Sequence, residues 1–439
     1  MTMRSMKHLA LLLREVEDQL VVCMRCGMCQ SVCPLFAETG RESDVARGKL
    51  ALLDGLMQEM FKDPAGVSDR LNRCLLCGSC AANCPSGVRV LDIFIKARAI
   101  LGGYMGLSPL KKLLFRQMLA RPALFDRIVE MGSRFQSLFI RSVDDLLGTS
   151  CARFQSPLGE RHFKALAAVP LHVRTPALNA PAGGSGIRVG VFVGCLVDKV
   201  FPEVGEAVLK VLRHHEVGVF MPDGQACCGI PALSSGDLES YRALVRHNLS
   251  RFAPGEFDHL ITPCATCTST IRKIWPLMAG DLSAEERERV RLLSEKTLDV
   301  SQFLVDVLHA ALAEGAEETG ERRLITYHDP CHLRKSLGVY AQPRSLIRAN
   351  PRYAFREMAE PDRCCGCGGS FNLQHYELSA AIGRRKRDNI AASGCSEVAT
   401  GCPACMLQLS DMLSRAGDRV RVRHVVEVYA EALDDNRQS

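Results

Sequence analysis

Closely spaced cysteines are the residues of this sequence best suited to chemistry. The chain of 439 residues contains 21 cysteines, most of them in groups separated by two or three residues. Thiolates at this spacing bind metals. The odd count excludes complete pairing within the chain, and the length excludes a small secreted scaffold held by disulfides. We therefore expect reduced thiols that act as metal ligands.

The N-terminal region contains one cysteine motif twice. Cys-x2-Cys-x2-Cys-x3-Cys-Pro occupies 23–34 and recurs 51 residues later at 74–85. In bacterial two-cluster ferredoxins, three thiolates of such a run bind one [4Fe–4S] cluster and the fourth binds the other cluster. This rule predicts one cluster on Cys23, Cys26, Cys29 and Cys84. It predicts the other on Cys74, Cys77, Cys80 and Cys33. Two zinc sites are the alternative, but zinc ligands usually come as two separated pairs.

A larger cysteine pattern is also repeated, with one single cysteine, one adjacent pair and one Cys-x2-Cys in each copy. The first copy contains Cys195, Cys227, Cys228, Cys264 and Cys267. The second contains Cys331, Cys364, Cys365, Cys402 and Cys405. Five thiolates exceed the four ligands of tetrahedral zinc. A glycine follows each adjacent pair and allows close approach of the backbone.

The elements that position these cysteines follow from hydrophobic periodicity. Strands are predicted at 187–193, 217–221 and 259–262 in the first copy and at 323–327 and 397–400 in the second. Helices are predicted between them, including 238–252 and 371–390, and in the N-terminal region at 45–61 and 88–101. Alternating strands and helices predict a small parallel sheet in each copy, with the site in the loops at the carboxyl ends of the strands.

The fold class predicted is therefore a multidomain α+β and α/β protein. A helical two-cluster ferredoxin domain (1–104) precedes a basic helical segment and linker (105–185). A tandem repeat of two small α/β domains follows, at 186–318 and 319–439. The end of the second segment, 175–185, is rich in proline, alanine and glycine and is typical of a linker.

The larger repeat resembles the cysteine-rich CCG domain of heterodisulfide reductase subunits and of the iron–sulfur subunits of several flavin dehydrogenases. In heterodisulfide reductase, five such cysteines hold a non-cubane [4Fe–4S] cluster. The resemblance therefore implies one or two further [4Fe–4S] clusters on the ten cysteines of the larger repeat. In some related proteins one copy holds zinc, so zinc or an empty site in one copy stays an alternative.

The order of the motifs, including the segments 73–77 and 84–88, resembles the iron–sulfur subunit of glycolate oxidase and related D-lactate dehydrogenases. This resemblance covers nearly the whole chain. It implies an electron-transfer subunit that receives electrons from a FAD-containing 2-hydroxy-acid dehydrogenase subunit and passes them to a quinone or another membrane acceptor. No Gly-x-Gly-x-x-Gly lies between a strand and a helix, so the flavin belongs to the partner and no catalytic residue is expected here.

Two other functions are compatible with the same motifs. A heterodisulfide reductase-like subunit would reduce a disulfide at its CCG-bound clusters, and the isolated chain would then turn over with an artificial donor. A structural or regulatory iron–sulfur module would have clusters that stay redox-silent. The sequence does not identify the 2-hydroxy acid or the final acceptor.

Several residues near these motifs have no assigned role. Cys151 and Cys395 are predicted to be core residues, and Cys367 to be a bystander thiol rather than an alternative ligand. His328 and His332 flank Cys331. We predict packing, or hydrogen bonding to the cluster, in preference to a proton-coupled role.

Charge gives weaker indications. A net charge of +6 is too small to indicate nucleic-acid binding. The segment 111–141 has seven basic and two acidic residues among many apolar ones. It could lie on anionic lipid, dock a partner or pack on the chain's own domains. No apolar run is long enough to span a membrane, and the run at 9–13 is too short for an export signal. We expect a cytoplasmic protein, with peripheral attachment to the inner face of the membrane as an option.

Overall fold

The computed structural model describes residues 6–60, 62–154, 159–310 and 322–433. The chain forms two compact units. The first comprises Met1–Arg121, Gly229–Val245 and Gly366–Ile382. The second comprises Pro122–Cys228, Arg246–Cys365 and Gly383–Ser439. The predicted boundary between the two α/β domains, at 318/319, lies outside the described residues.

The first unit is helical. Its N-terminal segment contains the α-helices Met6–Leu13, Glu17–Leu20, Met28–Val32, Pro34–Thr39, Ala46–Met57, Pro64–Asn72, Ser79–Ala82, Val90–Met105 and Pro109–Lys112. It also contains the 3-10 helices Arg14–Val16 and Glu42–Asp44 and the π-helix Leu113–Leu119. Leu9, Leu53, Phe94 and Leu101 are buried in its core. The helices predicted at 45–61 and 88–101 are present as Ala46–Met57 and Val90–Met105, and Phe61 lies outside the described residues.

The two other segments of the first unit follow the two cysteine pairs. They contain the helices Ile230–Ser234 and Ser370–Gln374 and the beginnings of the helices Leu238–Arg251 and Tyr376–Ala392. The helix predicted at 371–390 is therefore interrupted at His375. The φ and ψ angles of this residue, −134° and 53°, are not helical.

The second unit contains three sheets. The first is antiparallel and consists of β1 (Ile140–Asp144), β2 (Thr149–Ala152) and β3 (Phe163–Lys164). The second sheet consists of β4 (Leu178–Ala180), β5 (Arg188–Val191), β6 (Gly218–Met221), β7 (His259–Thr262) and β8 (Thr297–Asp299). The third consists of β9 (Arg323–His328), β10 (Tyr353–Phe355), β11 (Glu397–Thr400) and β12 (Arg421–His424).

The repeated cysteine pattern folds as a repeated sheet. The first copy has the strand order β4-β6-β5-β7-β8, and the second has β10-β9-β11-β12. Apart from β4, all pairs in both sheets are parallel, and β6-β5-β7-β8 corresponds strand by strand to β10-β9-β11-β12. In the first copy, β6 and β7 lie on opposite sides of β5, and in the second copy β10 and β11 lie on opposite sides of β9. The strand order therefore changes direction at β5 and at β9. Such a switch point leaves a crevice at the carboxyl ends of the strands.

The predicted linker at 175–185 is partly wrong, because it contains β4. This strand pairs antiparallel with β6, with Leu178 opposite Met221 and Ala180 opposite Val219. Pro176 and Pro181 lie just outside it. Prolines are tolerated there because the strand is at the edge of the sheet, where one row of backbone donors needs no partner.

Helices alternate with the parallel strands of the second unit along the chain. The α-helices are Pro122–Phe135, Leu171–Arg174, Cys195–Lys199, Pro202–His214, Ala265–Ser269, Trp275–Leu277, Ala284–Lys296, Val300–Gln302, Cys331–Leu337, Ala341–Arg348, Pro403–Ala416 and Val425–Ala432. The second unit also contains the 3-10 helices Gln136–Leu138 and Pro254–Glu256 and the π-helices Thr270–Ile274 and Phe303–Val307. Among the described residues, no helix combines the length and apolarity needed to cross a membrane.

One hydrophobic core serves both copies. Helix Pro202–His214 of the first copy packs against helix Val425–Ala432 of the second, and Val211 and Val428 are fully buried in the shared core. His215 Nε2 lies 2.9 Å from the Tyr429 hydroxyl, next to this contact. The two copies therefore share the apolar surface that stabilises them.

Candidate metal centres

The two N-terminal motifs have the same loop conformation. Arg25 and Gly27 have φ angles of 58° and 84°, and Leu76 and Gly78, at the equivalent positions, have 55° and 74°. This left-handed backbone is costly for arginine and leucine, which indicates that the surrounding structure fixes both loops. Each loop turns tightly and holds its first three cysteines close together.

The fourth cysteine of each motif joins the other motif. One cavity is lined by Cys33, Cys74, Cys77 and Cys80. A second is lined by Cys23, Cys26, Cys29 and Cys84, with Cys80 also at its edge. Cys33 is extended and caps helix Pro34–Thr39, where its Sγ accepts a hydrogen bond of 3.5 Å from the Phe36 N–H. This turn separates Cys33 from its own motif, and the eight thiols fall into two crossed groups of four.

Buried cations lie beside the first of these cavities. Burial raises the pKa of the Cys33 thiol to about 11 and that of Cys80 well above its usual value. Lys49 is buried on the same cavity, and its ammonium donates a hydrogen bond to the Asp44 carbonyl. Burial lowers the pKa of Lys49, and Cys74 and Cys33 oppose this shift. A buried cation stabilises the thiolate forms that metal binding requires.

Arg98 fixes the second motif in place. Its guanidinium is buried and donates hydrogen bonds of 2.6 Å to the carbonyls of Leu71 and Cys74. A third bond, of 2.9 Å, reaches the carbonyl of Ser234, in the segment that begins after Cys228. In the segment that begins after Cys365, a Cβ on Gly368 would lie 3.2 Å from the Leu75 Cα. Both segments therefore contact the second motif within the first unit.

In the first CCG copy, the cysteines gather at the carboxyl ends of the strands. Cys195 begins the helix after β5, the pair Cys227–Cys228 follows β6, and Cys264 follows β7. The Sγ atoms of Cys195 and Cys227 are 3.8 Å apart. The neighbouring thiols of Cys195 and Cys228, together with burial, raise the pKa of Cys227 well above its usual value. Cys267 contacts Cys228 in the same cluster of thiols.

The second copy gathers its cysteines in the same way. Cys331 begins the helix after β9, the pair Cys364–Cys365 follows β10, and Cys402 follows β11. Hydrogen bonds from Cys364 and Cys405 hold the pKa of Cys365 well below its usual value. The two copies meet at Cys264 and Cys402, where a hydrogen bond from Cys264 lowers the pKa of Cys402.

Three cysteines do not belong to the two repeated patterns. Cys151 is in β2, where its Sγ accepts a bond of 3.2 Å from Arg141 Nε. Cys395 is buried shortly before β11. Cys367 lies just after the second pair, and its carbonyl accepts a bond of 3.0 Å from the Asn372 N–H.

Sequence reasoning missed four buried polar residues around the CCG thiols. Three are Asp299, Lys386 and His424, which are all buried. The fourth, Asn248, donates to the Cys227 carbonyl. Asp299 and His424 end the corresponding strands β8 and β12, and an alignment of the two copies beyond the last cysteines could have found them. Lys386 and Asn248 are far from any motif and carry no such signal.

The donor atoms fit iron–sulfur clusters. Eighteen thiols, none in a disulfide, comprise two crossed groups of four and ten cysteines at or after the carboxyl ends of strands in the two parallel sheets. Soft thiolates in such numbers suit iron–sulfur clusters better than hard cations. A helical region with two cysteine motifs and two parallel sheets edged with cysteines together define an iron–sulfur protein with several centres.

Comparisons with known proteins agree with this class. Residues 19–88 match the 4Fe-4S dicluster domain, and residues 189–272 and 325–410 each match the cysteine-rich CCG domain. Lactate utilization protein A of Exiguobacterium is 32% identical over 247 residues, which are 56% of this chain and 98% of that protein. The chain belongs to this family of iron–sulfur proteins.

Two relatives extend over almost the whole chain. The probable glycolate oxidase iron-sulfur subunit of Bacillus subtilis is 29% identical over 436 residues, which are 95% of this chain and 94% of that protein. A fumarate reductase (CoM/CoB) subunit of Methanothermobacter marburgensis is 29% identical over 417 residues, which are 94% of this chain and 72% of that protein. The resemblance to glycolate oxidase, lactate and heterodisulfide reductase-type subunits is thereby confirmed.

Proposed function

We propose that this chain is the electron-transfer subunit of a flavin-dependent 2-hydroxy-acid dehydrogenase complex, acting on glycolate or D-lactate. It receives electrons from a FAD-containing partner and passes them to a quinone-type acceptor. The observation that carries the proposal is the crossed grouping of eight N-terminal thiols, together with ten further thiols at the two sheet edges. The names of two relatives, a glycolate oxidase subunit and a lactate utilization protein, support the substrate class.

In this proposal the eighteen cysteines are the ligands. Two [4Fe–4S] clusters occupy the crossed groups, and one or two further clusters occupy the CCG copies. When bound, these clusters supply one-electron chemistry, whose potential depends on hydrogen bonds, nearby charge and burial. The residues of the chain hold the thiols in position, exclude water and set the local charge. Arg98 and Lys49 do this at the second N-terminal motif.

The contacts within the first unit support an ordered path. Arg98 joins the Cys74 loop to Ser234, and Gly368 packs on Leu75 of the same loop. The hydroxyls of Ser234 and Ser370 are 3.3 Å apart and connect the two post-pair segments. The second N-terminal motif thus contacts the segments that follow both CCG pairs. We infer that electrons leave the N-terminal clusters at this motif.

The test uses Cys77→Ser in the complex of this chain with its flavoprotein. We expect loss of one N-terminal cluster and of acceptor reduction, while the hydroxy acid still bleaches the flavin of the partner. Cys151→Ser is the matched control, because this thiol lies outside both cysteine-lined cavities. Acceptor reduction at the unchanged rate in the Cys77 variant would refute the linear path.

A second candidate function is disulfide reduction at the CCG centres. The similarity to a fumarate reductase (CoM/CoB) subunit over 94% of this chain favours its inclusion. It predicts that the isolated chain, reduced by an artificial donor, turns over a disulfide substrate without any flavoprotein. Electron transfer alone predicts no such turnover, so the two functions are distinguished by one assay.

We also propose that the helix Pro122–Phe135 and the turn after it lie on an anionic membrane surface, near the quinone. Leu124, Met131 and Leu138 are exposed at helical spacing and form one stripe. Arg127 and Arg134 are exposed between them. Apolar and basic side chains in one exposed stripe are typical of interfacial helices.

The acidic residues of this helix face inward and leave the stripe basic. Asp126 forms an ion pair of 2.7 Å with Lys199, and Glu130 lies 3.2 Å from the His172 ring. The chain should therefore sediment with vesicles containing anionic lipid and much less with neutral vesicles, and salt should weaken the binding. Arg127→Ser combined with Arg134→Ser should abolish this binding, while Arg251→Ser, on another helix, should not. Equal sedimentation with both vesicles would contradict the proposal.

A further inference from the structure

His328 lies inside the thiol cluster of the second CCG copy. It is the last residue of β9 and has an exposed fraction of 0%. One of its ring nitrogens and the Sγ atoms of Cys365 and Cys405 all lie within 4.8 Å of one another. Ligands of a single metal ion are separated by distances within this limit, because each lies about 2.0–2.3 Å from the metal.

The imidazole of His328 interacts with the thiol of Cys365, whose pKa it helps to lower. Neither ring nitrogen has a hydrogen bond of ordinary geometry to another group among the described residues. A buried polar group without a partner costs free energy, so it usually has a partner or a functional role. His424, at the end of a strand in the same sheet, differs because its Nδ1 accepts a bond of 3.2 Å from the Val426 N–H.

The first copy has no such donor at the equivalent position. Phe192 stands three residues before Cys195, as His328 stands three residues before Cys331. Phe192 is also fully buried, and its ring packs 5.7 Å from that of Phe252. This position therefore holds an apolar ring in the first copy and an imidazole in the second.

We propose that a ring nitrogen of His328 binds metal in the second CCG copy, together with the thiolates of Cys365 and Cys405. The second centre then has mixed nitrogen and sulfur ligands, whereas the first has sulfur ligands alone. The inference rests on the proposed function, because it requires a metal centre in this copy. If the neutral imidazole takes the place of one of the five thiolates at an iron, that thiolate lies outside the centre, which then carries one negative charge fewer. Such a replacement raises the reduction potential, as in clusters where histidine replaces cysteine.

The test is pulsed electron paramagnetic resonance on the whole chain, purified without oxygen, with natural-abundance or 15N-labelled histidine. We expect one strongly coupled nitrogen that changes from 14N to 15N on labelling. It should be lost in His328→Phe, which copies the residue of the first copy, and be kept in His332→Asn. The second centre in His328→Phe should become at least tenfold harder to reduce at fixed ambient potential. The comparison of the 14N and 15N forms of the unsubstituted chain tests for a histidine ligand even if His328→Phe does not fold.

Other outcomes are equally decisive. Weak nitrogen coupling only, as from a hydrogen bond, would overturn the proposal, and so would a second copy without metal. If that copy holds zinc, X-ray absorption at the zinc edge must show nitrogen at about 2.0–2.1 Å, and a sulfur-only shell would overturn it. Full iron content without a nitrogen ligand would refute metal binding by His328 but would not contradict the proposed electron-transfer function. A chain without iron would refute both.

Discussion

The two CCG copies have the same scaffold but different surroundings for their thiols. Both have four parallel strands in the same order and the same three cysteine blocks at the strand ends. The first copy ends its first strand near Phe192 and its fourth at Asp299. The second has His328 and His424 at these positions. The strand geometry was retained in both copies, while the charge and polarity near the thiols differ.

The helix after each cysteine pair carries a further difference. Asn248 is fully buried, donates to the Cys227 carbonyl and accepts from the Ala226 N–H, both at 3.0 Å. Lys386 is also fully buried, and its ammonium donates to the carbonyls of Glu360 and Pro361. Asn248 thus binds the backbone at its cysteine pair, and Lys386 binds the backbone shortly before its own pair. One copy uses a neutral amide for this purpose and the other uses a cation, so we expect the second centre to accept electrons more readily.

The largest expected effect comes from removing one ligand in each copy. Cys228→Ser and Cys365→Ser should each remove one centre, about four of roughly sixteen irons in a chain with four [4Fe–4S] clusters. Iron and sulfide counts on anaerobically purified protein measure this, with Cys151→Ser as the control. Loss of iron in only one of the two variants would mean that the other copy holds zinc or no metal. The comparison would then concern two different kinds of site.

A smaller effect is expected from the buried cation. Lys386→Met should lower the reduction potential of the second centre, because a positive charge near a cluster stabilises its reduced form. A tenfold change in the reduction equilibrium corresponds to about 59 mV for one electron. Asn248→Leu, the matched change in the first copy, should leave the second centre unchanged. Redox titration followed by electron paramagnetic resonance measures both.

The effect of Lys386 should also depend on pH. Burial lowers the pKa of Lys386 to about 8, although the thiols of Cys331 and Cys365 oppose this shift. Above that pH the unsubstituted chain loses the same charge that the methionine variant lacks. The difference in potential should therefore shrink as the pH rises above 8. A difference that stays constant up to pH 9.5 would contradict this role of the charge.

The ends of the fourth strands should give opposite dependences of stability on pH. Burial raises the pKa of Asp299 to about 7, so the folded chain keeps a proton that the unfolded chain loses above about pH 4. Stability should fall as the pH rises from about 4 to 7. Burial lowers the pKa of His424 to about 4, so the unfolded chain binds a proton first. Stability should fall as the pH drops from about 6.5 to 4.

The variants Asp299→Asn and His424→Asn separate these contributions. Each should remove its own pH dependence, worth at most about 4 kcal/mol for Asp299 and about 3 kcal/mol for His424, and leave the other intact. The free energy of unfolding from denaturant titrations at several pH values measures this. If the free energy of unfolding depended on pH in the same way in both variants, the two strand ends would be electrostatically equivalent. This result would contradict the opposite dependences that we expect.

The smallest effect is expected at Cys367, which stands where the first copy has Ile230. The first copy has no cysteine at this position, so we expect Cys367 to lie outside the ligand set of the second centre. Cys367→Ala should therefore leave the iron count and both CCG signals unchanged. A loss of iron comparable to that in Cys365→Ser would make Cys367 a ligand and give the second copy a different cysteine set.

The sequence predicted the local and repeated features well. Strands at 217–221, 259–262 and 397–400 are present as β6, β7 and β11, because their apolar runs are short and bounded by turns. The crossed grouping of the N-terminal thiols agrees with the two-cluster spacing rule. The separation of each motif into a tight loop and a distant fourth cysteine is encoded locally by glycine and proline.

Features that depend on distant residues could not be predicted. The strand β4 forms because β6 offers an edge, and the sequence of 178–180 alone does not indicate it. Arg98 bonds to Ser234, 136 residues away, and no local pattern indicates this contact. The interaction of His328 with the thiols of Cys365 and Cys405 likewise exists only once β9 lies beside the second pair of cysteines.

The composition of the first unit has a consequence for biosynthesis. Its three segments include Gly229–Val245 and Gly366–Ile382, so the ribosome must have made most of the chain before this unit can close. The two cysteine-lined cavities, whose lining lies within 23–94, are synthesised long before these later segments. We expect a chain that ends before 366 to lack the packing of Gly368 on Leu75 and to be degraded more readily.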